Sequence, residues 1–347
     1  MDLTALESAA RSHLDPVWSD YLTGGAGEEH TVRANRAAWN DRPLRPHYLR
    51  DVRNANAATV LLGRPSPAPI VIAPTAMHRL FHPEGELATA AGAAAAGITY
   101  TVSMVATTAL EDIAGVVPGS TRWMQLYMQA DRGVTRECCE RAAEAGYAAL
   151  VLTIDSPVTA RNIRNERNGF NVPPGLTLPN LAPRQARGLD IWQLVGAYDA
   201  AVTPEDIAQV SAWGGGLPVI VKGLVRGDDA RRAVDAGAAA IAVSNHGGRQ
   251  LDTCIATARA LPEVVDAVAG DAEVYVDGGI RSGVDIVKAL ALGAQAVLVG
   301  RPVIWGLATG GADGVEAVLR ELIDDTTRTL ALCGARSPSE VSADLLG

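Results

Sequence analysis

The chain has 347 residues, 48% of them hydrophobic and 20% charged, with a formal net charge of −9. This composition excludes a disordered chain, and the acidic balance excludes the basic stripe of a nucleic-acid binder and disfavours anionic membranes. The length admits two ordinary domains or one α/β barrel, and the 35 glycines, lacking a G-X-Y period, speak for tight turns rather than a fibre.

Residues 1–20 carry acids and lack an apolar h-region, so they do not read as a signal peptide. No run of 18 apolar residues predicts a membrane span. Residues 1–68 are expected to form an N-terminal helical cap, with Tyr21-Leu22-Thr23-Gly24-Gly25 ending its first helix. Eight short apolar runs then follow: PIVIAP (69–74), TYTVS (99–103), WMQLY (123–127), ALVLTID (149–155), PVIVK (218–222), AIAVSNH (240–246), VYVDG (274–278) and AVLVG (296–300). They are β-branched and too short for independent helices, as strands buried on both faces are. Ala-rich amphipathic stretches that stop at Gly separate them, the pattern of helices. Successive run ends are about one βα unit apart, except between residues 155 and 222. The reading is α/β, a (β/α)8 TIM barrel in one domain over 1–347. The extra length after the fourth strand, 160–203, is rich in Pro, Gly and Arg and is expected to be an active-site lid. Cys138, Cys139, Cys254 and Cys333 show no CxxC spacing and read as reduced thiols of a cytoplasmic protein.

A barrel's chemistry sits where its strands end. Those ends carry Pro74-Thr75-Ala76, Ser103, Gln125, Tyr127, Thr153, Asp155, Lys222, Ser244, Asp277 and Arg301. Any one of these could be a satisfied turn group. Together they deliver a hydrogen-bonding group from every strand to one face. In SNHGGRQ (244–250), His246 offers an imidazole suited to general-base work, and Arg249 a guanidinium suited to a carboxylate. Asp155 is placed to orient His246. Lys222 follows an apolar run and must face a partner or a ligand. It reads equally as a Schiff-base nucleophile or as a cation facing an electron-rich cofactor. DGGIRSG (277–283) and VGRP (299–302) sit where barrels build phosphate sites. His78 and His82, with Glu84 and Glu86 nearby, mimic metal ligands, but Pro83 interrupts their alignment and no third ligand is evident, so no metal is expected. No GxGxxG opens a helix after a strand, which argues against a Rossmann site.

The motifs APTA, HPEGE, QLY, LTID, VKG, SNHGGRQLD, DGGIRSG and VGRP resemble those of the FMN-dependent α-hydroxy-acid oxidases and dehydrogenases, the glycolate, lactate and mandelate enzymes, over nearly the whole chain. Within that family the mandelate and hydroxymandelate oxidases are the most similar in feel. The resemblance implies bound FMN. It implies that Pro74, Thr75, Ala76, Ser103, Gln125, Thr153, Lys222 and Ser244 lie about the isoalloxazine ring, and that Asp277, Gly279, Arg281, Gly300 and Arg301 hold ribityl and phosphate. His246 is the implied base, assisted by Asp155, with Tyr127 and Lys222 counted among the catalytic groups. Tyr21, Tyr127 and Arg249 are implied to grip a 2-hydroxy acid. On this reading Lys222 faces the flavin rather than forming a Schiff base. Reduced FMN passes its electrons to O2 or another acceptor, and relatives suggest a homotetramer or larger. A barrel isomerase or lyase, and a retired flavin-binding scaffold, are the competing readings. SNHGGRQ opposes the first, and intact Tyr21, Tyr127, His246 and Arg249 oppose the second.

The chain also departs from the family. A second carboxylate-binding Arg after the fourth strand is replaced by Asn162, in the run Ala160-Arg161-Asn162-Ile163-Arg164-Asn165. Either Arg161 or Arg164 restores the clamp, or the enzyme is specialised for a non-standard substrate or for oxidative decarboxylation. Val105 stands where short-chain oxidases carry Trp, which leaves room for an aryl or other bulky group.

Overall fold

Parallel pairing in chain order closes eight strands into a barrel in the computed structural model, which describes residues 1–181 and 197–347. A hairpin precedes the barrel, β1 (Thr59–Leu61) and β2 (Arg64–Ser66), joined at Leu62 and Gly63, both at positive φ. The staves are β3 (Ile70–Ile72), β4 (Thr99–Ser103), β5 (Arg122–Leu126), β6 (Ala149–Thr153), β7 (Val219–Leu224), β8 (Ala240–Val243), β9 (Glu273–Val276) and β10 (Ala296–Val299). β10 pairs with β3 and completes the circle. All eight apolar runs are strands, and the fold is a (β/α)8 TIM barrel.

The period of two along a strand explains how one sequence serves two cores. Ile70, Ile72, Val102, Leu126, Leu152, Val221 and Val243 point outward and pack under the surrounding helices. Val71, Trp123, Val151, Ile220, Ala242, Tyr275 and Leu298 point inward and fill the barrel. Trp123 and Tyr275 stack within it at 5.6 Å, and Leu61 of the hairpin joins the same inner cluster. The hairpin was not foreseen: its strands are three residues long and carry no usable periodicity. Continued two residues further, the inward parity reaches Ser103, Gln125, Thr153, Lys222, Ser244 and Asp277. Polar groups thus gather at one mouth of an otherwise apolar barrel.

The first 68 residues hold three helices, Leu3–His13, Pro16–Thr23 and His30–Asn40, as well as the hairpin. The run Tyr21 to Gly25 therefore ends the second helix, not the first. An Asp15 N-cap and Pro16 start a new helix there. The third helix is tied to the barrel mouth: Trp39 Nε1 donates to Gly278 O at 2.8 Å, and the Asn35 and Asn245 amides bond reciprocally. Between β6 and β7 lie a short helix Ile163–Asn168, a 3-10 turn Pro179–Leu181 and the unit's packing helix Glu205–Trp213. The expected lid, 160–203, includes residues 182–196, which lie outside the described residues. Among the described residues no helix is long and apolar enough to cross a membrane.

Candidate active site

Of the strand-end polar residues, Thr75, Ser103, Tyr127, Lys222, Asp277 and Arg301 line a cavity of about 280 Å³ at the barrel mouth; Gln125, Thr153, Asp155 and Ser244 stand behind that wall, bonded to residues that line it or to one another. His246 lies just beyond β8 with φ at 59°, a left-handed conformation uncommon outside glycine and typical of functional sites. The Ser244 hydroxyl holds it there by accepting from His246 N at 3.0 Å. Asp155 Oδ1 sits 2.9 Å from His246 Nδ1. Burial disfavours the Asp155 carboxylate, but the His246 ring and Lys222 outweigh it and hold this carboxyl below its ordinary value. An ionised Asp155 only accepts, so Nδ1 carries a proton, and the neutral form of the ring has its lone pair on Nε2. The Tyr127 hydroxyl is 3.5 Å from that Nε2. Gly223 makes room for Asp155: a Cβ at that position would meet Asp155 Cβ at 2.7 Å.

Lys222 is 3% exposed and is not a lone amine. Its Nζ lies 3.1 Å from Asp277 Oδ2 and donates to Ser244 Oγ at 2.9 Å. Burial disfavours the ammonium, but Asp277 and Asp155 reverse the balance and raise Lys222 above its usual value. A protonated, paired lysine is a poor nucleophile, which opposes the Schiff-base alternative. Gln125 accepts from Ser103 Oγ at 3.2 Å and donates to Thr153 Oγ1 at 3.1 Å, fixing three of the strand-end groups as a buried layer. Asp277 Oδ1 and Asp155 Oδ2 are buried without a protein hydrogen-bond partner.

The opposite end of the cavity is cationic. Arg281 and Arg301 line it, and their donors meet only backbone carbonyls: Ile280 O for Arg281, and Leu22 O, Gly24 O and Gly247 O for Arg301. Neither makes an ion pair with a described carboxylate. Burial, with Arg249 and Arg281 as like charges, pushes Arg301 down to about 9; burial, with Arg36, pushes Arg281 down to about 10. Two crowded guanidiniums that no described carboxylate pairs with directly suit a bound anion. Gly279 and Gly300 bring backbone to the same wall, and Gly300 precedes the helix Arg301–Leu332. A flavin mononucleotide fits this division, with a phosphate for the arginine end and a polar ring for the layered hydroxyls and amides.

At the rim, Arg249 lies 4.9 Å above the Tyr21 ring and donates to Tyr21 O at 2.7 Å. Tyr21 stacks on Phe170 at 4.4 Å and Tyr127 packs on Tyr198 at 4.5 Å. Neither Phe170 nor Tyr198 was foreseen, since both come from the long β6–β7 connection, where no periodicity marks them. Thr75, Ala76, Ser103, Tyr127, Lys222, His246 and Arg249 are brought together around the cavity, and Asn162 and Val105 also line it. Arg161 is not among them: its side chain turns outward onto Glu166 at 2.9 Å. Arg164 is held by Glu29 at 2.6 Å and Asp20 at 3.0 Å. Of the two ways in which the missing clamp could be met, a shifted arginine would have to leave these acidic partners to reach the cavity. Asn162 itself caps the helix Ile163–Asn168 through Asn165 N.

The chain that carries this arrangement has close counterparts among known proteins. Residues 10–347 match the model of the FMN-dependent dehydrogenase family, and the chain belongs to that family. It is an FMN-dependent oxidoreductase acting on a CH–OH group, of the hydroxy-acid oxidase type. It is 46% identical to an L-lactate oxidase of Nostoc sp. over 100% of this chain and 98% of the relative. It is 43% identical to a 4-hydroxymandelate oxidase of Amycolatopsis orientalis, over 97% and 95% respectively. A solved mandelate oxidase with benzoyl-formic acid superposes with a TM-score of 0.91 at 43% identity, covering 99% of this chain and 97% of that one.

Proposed function

We propose that the chain oxidises an aryl or similarly bulky 2-hydroxy acid to the 2-keto acid, working as one domain in the cytoplasm as a homotetramer or larger. The observation that carries the substrate class is Val105, a small side chain in the cavity wall beside Met77, Phe81 and Val172. An isopropyl group there takes up less of the cavity than a larger side chain would, and the likeness to mandelate oxidases supports the same class.

In this reading Arg249, with Tyr21 and Tyr127, receives the substrate carboxylate and hydroxyl. His246 Nε2 removes a proton, and Asp155 orients the ring and balances the charge it gains. The FMN supplies a two-electron acceptor, and O2 or another acceptor later takes the electrons. Pro74, Thr75, Ala76, Ser103, Gln125, Thr153, Lys222 and Ser244 would lie about its ring, while Asp277, Gly279, Arg281, Gly300 and Arg301 would hold the ribityl chain and phosphate. The cytoplasmic setting is supported by four free cysteines.

A second reading is favoured by one observation: Arg161 and Arg164 are both committed to acidic partners, leaving Asn162 at the cavity. The carboxylate grip is then weaker, which suits a specialised substrate or an altered outcome such as oxidative decarboxylation. Anaerobic bleaching of the flavin across glycolate, lactate, mandelate and 4-hydroxymandelate tests the proposal, with product analysis of each reaction. Fast bleaching by aryl acids supports it. Good turnover of glycolate or lactate with none of any aryl acid overturns it, and release of carbon dioxide establishes the second reading.

A further inference from the structure

His78, set aside above as a false metal ligand, lies directly behind the cavity wall. It is 0% exposed, and both ring nitrogens are bonded: Nδ1 to Thr89 Oγ1 at 2.9 Å, and Nε2 to Thr75 Oγ1. Thr75 lines the cavity. Thr89 sits in the helix Gly85–Ala95 and gives its hydroxyl proton to Gly85 O, so its oxygen accepts from His78 Nδ1–H. On that pattern we assign the ring the Nδ1–H tautomer. Nε2 carries the lone pair and accepts the Thr75 O–H. The geometry points to His78 as a positioning residue that turns the Thr75 hydroxyl away from the cavity as a donor, so that the threonine faces the flavin with its oxygen only as an acceptor.

Two observations reinforce the assignment. Burial lowers His78 below its ordinary value, so the ring stays neutral and keeps the lone pair that the bond to Thr75 needs. The backbone is pinned as well: His78 N donates to Glu86 Oε1 at 3.0 Å, and the same carboxylate also takes Thr107 N, Thr107 Oγ1 and Thr108 Oγ1. A carboxylate with four donors anchors the turn that carries His78, and Met77 just before it adopts a left-handed φ of 56°.

The consequence is electronic rather than structural. A reduced flavin carries an N–H that the oxidised ring lacks. An acceptor held against the ring therefore favours the reduced form and raises the midpoint potential. This rests on the proposed placement of the ring against Thr75.

The test measures the midpoint potential and visible spectrum of FMN bound to the purified holoenzyme, with His78→Leu, His78→Gln, Thr75→Val and Thr89→Val beside the wild type. The expected result is a more negative potential in H78L and T75V, and recovery towards wild type in H78Q, whose amide oxygen can accept the Thr75 proton. T89V, which frees the ring at its far nitrogen, moves the potential the same way and serves if H78L does not fold. A shift in T75V with none in H78L or T89V overturns the role of His78 while leaving the flavin placement intact. No shift in any variant, T75V included, overturns the placement and the inference with it.

Discussion

Asp155 and His246 meet at 2.9 Å across the mouth of the barrel although 91 residues separate them in the chain. The carboxylate is held ionised by the ring and by Lys222, so the pair fixes Nδ1 as a donor towards Asp155 and turns Nε2 to Tyr127 at the cavity. Replacing Asp155 by Asn removes both the charge and the tautomer control. D155N is expected to keep bound FMN and to slow anaerobic flavin reduction on the order of a hundredfold or more. Stopped-flow bleaching with saturating substrate measures it, and a rate within a factor of three of wild type would show that Asp155 is a bystander.

The same pair sets a pH dependence of stability. The folded-state pKa of Asp155 is depressed, so its contribution is present above the unfolded value of about 3.9 and is lost as pH falls through the lower folded value. The melting temperature of wild type should therefore exceed that of D155N at pH 6, and the gap should close as the solution is taken below about pH 4. A gap that stays constant down to the acid limit would contradict the assignment.

Arg301 has no carboxylate among its described partners and is crowded by Arg249 and Arg281. Its substitution by Met removes a charge-assisted anion contact worth about 1.5–3 kcal/mol. FMN should then bind about ten- to a hundredfold more weakly, read by fluorescence quenching on titration of the apoprotein. Unchanged affinity would remove Arg301 from the phosphate site.

Asn162→Arg places a guanidinium at the cavity where Arg161 and Arg164 do not reach. A regained charge-assisted bond is expected to raise kcat/KM for mandelate-type acids about tenfold to a hundredfold. No gain would mean that the carboxylate is already fully held by Arg249 and the tyrosines.

Val105→Trp adds an indole at the cavity wall, where Val105 is 3% exposed. Overpacking of this kind should depress kcat/KM for aryl acids at least tenfold and leave glycolate nearly unaffected. Equal losses on both would count against Val105 as the determinant of size.

Much of this was legible before any coordinates. The eight strands showed themselves because runs such as TYTVS and ALVLTID are short, β-branched and evenly spaced. Lys222, Asp277 and Ser244 were foreseen because they close apolar runs, and the structure shows why they face inward: they continue the parity of Ile220, Tyr275 and Ala242. What stayed hidden depended on distant packing. Nothing local marks Tyr198 as a partner for Tyr127, or Phe170 for Tyr21. The outward turn of Arg161 was not legible, because sequence gives a residue's position and not its rotamer, and Glu166, five residues on, holds it. His78 was readable only as a poor metal ligand, since Thr75 and Thr89 close around it in space rather than by motif.

Gly223 stands at a register shift between Lys222 and Leu224 in β7, with φ at 110° and no room for a Cβ beside Asp155. The strand that delivers the ammonium to the barrel mouth is therefore also the surface on which the carboxylate of the dyad rests. An alanine at 223 would have no contact with any ligand, yet it would push Asp155 off its seat and shift Lys222 along its strand together. Proton transfer and the cation of the binding site would fail as a unit, through the volume of a single methyl group.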